Sequence, residues 1–225
     1  MHVTLTTPIA APPAPAPQPA NELAAAYRGA SVLVAGGSAG IGQAILAQLL
    51  AGGARTACLD LRPPQDEGHR FLAADVNDPD ALERSMAALV ADRGGLEHLF
   101  VCYPLPELYP AEGIFHLIGA TAPYLRDARG SVVFVASTSQ AKPVARGRST
   151  EFTEVLAGEL SYFGIRVNTV AHDHFEAQGR GQRPASALDQ PVVYDDVVQA
   201  ALFLGSRLAA KVTGQVLSVG KSSGR

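Results

Sequence analysis

Three groups of residues in this chain have types and spacings that could do chemistry. The first is Ala35-Gly36-Gly37-Ser38-Ala39-Gly40-Ile41-Gly42, which follows the apolar run Ser31-Val32-Leu33-Val34 and opens the apolar stretch from Ile41 to Leu50. Glycines there let the backbone turn tightly and approach a ligand with no Cβ in between, and the unpaired N–H groups of a first helical turn attract an anion such as a pyrophosphate. The second is Asp60, which closes the apolar run Thr56-Ala57-Cys58-Leu59 at the spacing of a ribose-binding carboxylate in a dinucleotide site. Such a carboxylate accepts hydrogen bonds from a ribose diol and repels a phosphate, so the expected cofactor is NAD in preference to NADP; Arg62 works against that preference. The third is His172-Asp173-His174, after an apolar run, where an imidazole could serve as acid or base near neutral pH. His172, His174 and Glu176 make too thin a set for a metal site, and none is expected. Tyr103 also ends an apolar run, but a phenol needs a cationic neighbour to be useful near neutral pH, and packing is its ordinary role.

These residues need a scaffold, and the chain supplies one by alternation. Short apolar runs bounded by Gly, Pro or polar residues fall at Ser31 to Ala35, Arg55 to Leu59, Arg70 to Ala74, His98 to Cys102, Ser131 to Ser137, Arg166 to Val170 and Gln215 to Val219. They read as buried strands with helices between them. Asp78-Pro79-Asp80 is a helix start, with an N-cap acid and proline at the first helical position, and Gly94-Gly95 is a stop. One helix is expected from Gly113 to Arg126, with an apolar stripe of Ile114, Leu117, Ile118 and Leu125; a second stripe runs through Phe152, Val155, Leu156, Leu160 and Phe163. The spacing fits either a core-facing helix or a subunit contact.

Composition limits the function classes. The 225 residues are 47% hydrophobic, enough for one large core, so a single domain is expected from residue 27 to the end. A net charge of −3 offers no basic surface for nucleic acid or anionic lipid. Residues 1–26 begin with prolines interleaved with alanines, a composition that favours extended conformations and reads as a mobile arm; it lacks the basic start and continuous apolar stretch of a signal peptide. No run reaches the length of a membrane span. Cys58 and Cys102 sit in apolar runs and read as reduced core residues, which fits the cytoplasm.

From Tyr27 onward the chain resembles the short-chain dehydrogenase/reductase family. The glycine segment is similar to that family's Thr-Gly-x-x-x-Gly-Ile-Gly, and Asp75-Val76 stands where the family places its adenine contacts. Gly164-Ile165-Arg166-Val167-Asn168, Phe203-Leu204-Gly205-Ser206 and Thr213-Gly214-Gln215-Val216 resemble the family's sixth strand, last helix and final strand. The resemblance implies a single-domain, Rossmann-type, doubly wound parallel α/β sheet of about seven strands. It also implies an NAD-binding half formed by Gly36, Ser38, Ala39, Gly40, Ile41, Gly42, Asp60, Asp75 and Val76, and an oligomer built through the two striped helices, either of copies or with a related subunit.

The resemblance fails at the catalytic end. Ser137 matches the family's serine, but no tyrosine occurs from Thr138 to Glu154, where the family carries Tyr-x-x-x-Lys. Counting forward from Ser137 puts Thr150 and Glu154 at that pair, whereas counting back from Arg166 puts Lys142 and Arg146 there, a discrepancy of about two helical turns. Helices near the active site are therefore expected to be shortened. The family's Asn-Asn-Ala-Gly aligns with Val101-Cys102-Tyr103-Pro104, its Pro-Gly with Ala171 to His174, and its further catalytic asparagine has no counterpart. The expected protein is a catalytically silent or regulatory subunit that keeps an NAD-binding half. The alternative is an atypical oxidoreductase, or a lyase or cyclase, using Ser137 with Lys142, Tyr103 or His172.

Overall fold

The computed structural model describes residues 22–103, 112–137, 143–172 and 194–220. They form one seven-stranded parallel sheet in the order β3-β2-β1-β4-β5-β6-β7. The strands are β1 Ser31–Ala35, β2 Arg55–Asp60, β3 Arg70–Ala73, β4 His98–Val101, β5 Ser131–Ser137, β6 Arg166–His172 and β7 Val216–Val219. The helices are α1 Glu22–Ala25, α2 Gly40–Ala51, α3 Pro79–Arg93, α4 Glu112–Ala128, α5 Pro143–Ser161 and α6 Tyr194–Gly205, and a 3-10 turn, Arg207–Ala209, follows α6. The order reverses between β1 and β4, which makes that junction the topological switch point.

Alternation along the strands divides the core in two. Leu33 and Ala35 point to the face covered by Leu82 and Met86 of α3, Leu117 of α4 and Leu160 of α5. Val32 and Val34 point to the other, covered by Ile45 and Leu49 of α2 and Val198 and Leu202 of α6. With both faces covered the strands can be apolar throughout, and β1 is buried at every residue.

The expected helix signals act as read. Asp78 accepts a hydrogen bond from the Ala81 N–H at 2.9 Å as the N-cap of α3, and Gly94 closes that helix at φ 78°. Ile114, Leu117, Ile118 and Leu125 of α4 are buried against the chain's own sheet, so this stripe is core and not a subunit contact. The second stripe divides: Leu156 and Leu160 are buried, while Val155 and Phe163 stay exposed. The folded unit also starts before residue 27. Helix α1 packs on α2 and α6, and Ala24 is buried, because its methyl faces the α2–α6 seam; only residues 1–21 of the expected arm lie outside the described residues.

At the amino ends of the central strands, side chains fasten the last helix to the sheet. Arg166 at the start of β6 donates to the carbonyls of Leu204, Gly205, Ser206 and Val212 at 2.7–3.2 Å. Ser131 donates to the Gly205 carbonyl at 2.8 Å, and the fully buried Tyr27 hydroxyl donates to the Leu202 carbonyl at 2.6 Å. A Cβ at Gly205 would run into that hydroxyl and the Phe100 ring, so the position admits no side chain.

Candidate functional site

The site lies at the carboxyl edge of the sheet, at the switch point. A tight turn leaves β1 at Gly36, whose φ of 80° lies in the left-handed region, and a Cβ there would sit 3.0 Å from the Cys102 carbonyl carbon and 3.1 Å from the Tyr103 nitrogen. Only glycine lets the turn press against the end of β4. At Gly42 the first turn of α2 lies so close to the Gly36 carbonyl that a Cβ would overlap it. The N-cap of α2 is Ala39, whose side chain makes no capping hydrogen bond. The first N–H groups of the helix therefore point outward without a side-chain acceptor, aligned with the positive end of the helix dipole.

Asp60, the last residue of β2, is fixed against this turn. Its Oδ2 accepts from the Ser38 N–H at 3.2 Å and the Ser38 hydroxyl at 2.7 Å, and its Oδ1 accepts from the Leu61 N–H at 2.7 Å. A carboxylate held by three donors on fixed backbone is preorganised to receive hydroxyl groups in the remaining directions. Gly36, Ser38, Ala39, Gly40, Ile41 and Asp60 all line one cavity of about 440 Å³.

The far side of the same cavity is lined by Ser137 and His172. β6 runs two residues longer than the expected end at Val170, so His172 belongs to the strand and is the register partner of Ser137 on β5. Ser137 is exposed to the cavity, whereas His172 is buried at 6% exposure. Among the described residues, no α5 side chain lines the cavity. Glu154, on the forward count, is exposed, and α5 instead docks through the buried Thr153, whose hydroxyl bonds that of Thr169 on β6 at 2.7 Å. Lys142 lies outside the described residues, as do Asp173, His174 and Glu176; among the described residues no His, Cys, Asp or Glu cluster could hold a metal.

Tyr103 is corrected as a proton donor. Its hydroxyl already donates to the Leu59 carbonyl at 3.0 Å. Its pKa is pushed up, first by burial and then by the negative charge of Asp60, and no cation among the described residues offsets this. The tyrosine packs, and it fills part of the cavity wall beside the turn. Asp75 and Val76, unlike Tyr103, are not among the described residues that line the cavity. The Asp75 carboxylate accepts from the Asn77 N–H at 2.9 Å in a local turn, and Val76 packs against the core. Burial raises both thiols to about 12, Cys58 with help from Asp60 and Cys102 with help from Cys58, so neither is a ready nucleophile.

Three lining residues were not singled out by sequence reasoning: Cys102 as a site residue, Val135 and Tyr194. Val135 follows from strand alternation, two residues before Ser137. Tyr194 opens α6, and its hydroxyl comes within 3.9 Å of where a Gly40 Cβ would lie. The long stretch between β6 and α6 carries no periodic pattern, so no sequence signal brings the start of that helix over the glycine turn.

This sheet order, with a glycine turn and an acid at its switch point, defines a Rossmann-like α/β protein, and solved dehydrogenases share the fold. A short-chain dehydrogenase from Leptospira borgpetersenii, solved with bound NAD+, superposes with a TM-score of 0.72 at 22% identity, covering 86% of this chain and 92% of that one. The ligand-free aldohexose dehydrogenase of Thermoplasma acidophilum superposes at 0.70 and 20% identity, covering 88% and 94%. Among curated proteins, the D-threitol dehydrogenase of Mycolicibacterium smegmatis is 26% identical over 238 residues, covering 85% of this chain and 91% of that protein. The L-fucose dehydrogenase of Bos taurus is 26% identical over 243 residues, covering 86% and 88%. No family model matches the chain. The solved structures share the Rossmann-like fold, and the curated proteins the chain resembles are dehydrogenases.

Proposed function

We propose that this chain binds NAD(H) at the glycine turn and has given up ordinary carbonyl or alcohol chemistry, acting as a silent or regulatory subunit of the short-chain dehydrogenase/reductase type. The observation that carries the reading is the asymmetry of one cavity. Its turn side holds an uncapped helix N-terminus and a fixed carboxylate, the pair that a pyrophosphate and an adenosine ribose need. Its other side presents Ser137 and His172; of the two tyrosines that line the cavity, Tyr103 spends its hydroxyl on the Leu59 carbonyl and Tyr194 lies beside Gly40 of the turn, and no lysine is among the described lining residues. The relative solved with NAD+ supports the choice of cofactor, and the curated relatives are dehydrogenases of a polyol and a sugar. Asp60 favours the unphosphorylated ribose of NAD over NADP.

A cytoplasmic location is part of this reading, supported by two free thiols, one buried and one half-buried. Its partner is a second copy or a related subunit seated over Phe115, Val155 and Phe163, large apolar side chains left exposed on α4 and α5 and just beyond α5. Calorimetric titration of the full chain with NAD and with NADP tests the cofactor assignment: saturable binding with NAD the tighter is expected, and NADP binding more tightly overturns it. Light scattering tests the assembly, and a monomer at high concentration with no co-purifying chain counts against it.

A further inference from the structure

Three arginines meet at the edge of the sheet opposite the glycine turn. Arg129, Arg166 and Arg207 line a cavity of about 240 Å³ together with Glu97, His98 and Gly164. It sits at the amino ends of β4, β5 and β6, one strand length, about 20 Å for β5, from the carboxyl edge where Ser137 lies. Ligands of doubly wound sheets ordinarily occupy the carboxyl edge, so this cavity is no part of the dinucleotide site.

The three cations play different parts. Arg166 has its terminal nitrogens committed to four carbonyls and contributes a fixed, half-buried charge with no carboxylate partner among the described residues. Arg129 and Arg207 are exposed, and neither forms an ion pair or a side-chain hydrogen bond among the described residues, so their guanidinium donors remain available. Glu97 is the one acid on the cavity, and its Oε1 accepts from the Ser31 N–H at 3.1 Å. Three positive charges against one negative leave an excess of two, which matches a phosphate monoester near neutral pH. The half-buried His98 imidazole on the cavity wall adds no charge: burial first, then the charges of Arg166 and Arg207, lower its pKa and keep it neutral.

The backbone is arranged to put Arg129 at this place. Arg129 has φ 50°, the one described non-glycine residue in the left-handed region, a conformation that is strained for a residue with a side chain. Its stem lies across Gly164, where a Cβ would sit 3.3 Å from the Arg129 Cγ. Strain of this kind persists where the surrounding structure holds it, and it gathers at ligand sites.

We propose that this cavity is a second binding site, for a phosphate monoester, with Arg129 and Arg207 as the forks that grip the phosphate and Arg166 as the fixed charge behind them. Planar guanidinium groups suit phosphate oxygens because two parallel N–H bonds can form at once. The test is a titration of the 15N-labelled full chain with inorganic phosphate at constant ionic strength, with succinate as a parallel arm. Saturable shifts are expected at the amides of Gly130, Gly164 and residues 207–210. Replacing Arg129→Gln and Arg207→Gln together should weaken phosphate binding by about tenfold or more, the loss of a charge-assisted contact. Arg129→Gly should weaken binding while keeping or raising the thermal midpoint, because it removes the strain together with the donor. Shifts confined to Gly36–Gly42, an equal response to sodium chloride, or unchanged affinity in the double variant would each overturn the site, and succinate binding as tightly as phosphate would overturn the ligand class.

Discussion

The two edges of the sheet are built for different purposes. At the amino edge, Arg166, Ser131 and Tyr27 spend their hydrogen bonds on the chain itself, tying the end of α6 to the starts of the strands. At the carboxyl edge, the glycine turn, the uncapped α2 and Asp60 leave polar groups directed at an open cavity. One edge spends most of its donors on the fold, and the other leaves its polar groups facing a cavity. The carboxyl edge divides again: its binding side is made largely of backbone, which survives sequence drift as long as the glycines remain, whereas its chemical side depends on single side chains that one substitution can remove.

The largest expected effect separates the edges by stability. Arg166→Met removes four charge-assisted hydrogen bonds to carbonyls at and beyond the end of α6 and should lower the unfolding free energy by about 2–4 kcal/mol in urea titration. A comparable loss from Asp60→Ala would erase the distinction between the edges.

Next comes a pH dependence at the amino edge. The Ser131 hydroxyl gives its hydrogen to the Gly205 carbonyl, so the 2.9 Å contact with His98 Nδ1 requires Nδ1 to carry the proton in the neutral ring. Burial first, then Arg166 and Arg207, lowers the His98 pKa from 6.5 to about 3. The unfolded chain therefore binds the proton first: stability is complete above about pH 6.5 and falls as pH drops toward 3, by up to about 1.4 kcal/mol per pH unit. His98→Gln should flatten that acid limb in urea titrations between pH 7 and 4. An unchanged slope would move the acid sensitivity elsewhere.

At the recognition edge, Asp60→Ala should weaken NAD binding by about ten- to a hundredfold, through lost charge-assisted hydrogen bonds, while changing stability by less than about 1 kcal/mol. Calorimetry and a thermal scan read the two numbers separately. The smallest effect belongs to the far side of the cavity: Ser137→Ala should change NAD affinity by less than about threefold. A larger loss would show that Ser137 belongs to the binding side after all.

What the sequence made legible follows the same division. Each of the seven strands was placed within two residues, because buried strands between breakers are readable as short apolar runs. The glycine turn and Asp60 were legible because their order along the chain is also their order in space. The α4 stripe was ambiguous, since one apolar face serves a core or an interface equally well, and burial of Ile114 and Ile118 decided it. Tyr103 lines the cavity as expected but spends its hydroxyl on the Leu59 carbonyl, Asp75 turns to its own backbone, and Tyr194 was missed because it reaches the site from a distant segment. The arginine cavity joins residues from four separate segments and has no linear signature.

The central claim is that this chain binds the dinucleotide and does not use it for ordinary hydride transfer. Proton transfer by a placed acid or base is worth about a hundred- to ten-thousandfold in rate, and none of the described groups beside Ser137 is a tyrosine activated by a lysine. The direct measurement follows nicotinamide absorbance with the purified full chain and saturating NAD or NADH, over alcohols and carbonyl compounds that include D-threitol and L-fucose. The account predicts saturable cofactor binding with no turnover above slow background; robust turnover abolished by Ser137→Ala or His172→Ala would contradict it and make the chain an enzyme that runs on those two residues.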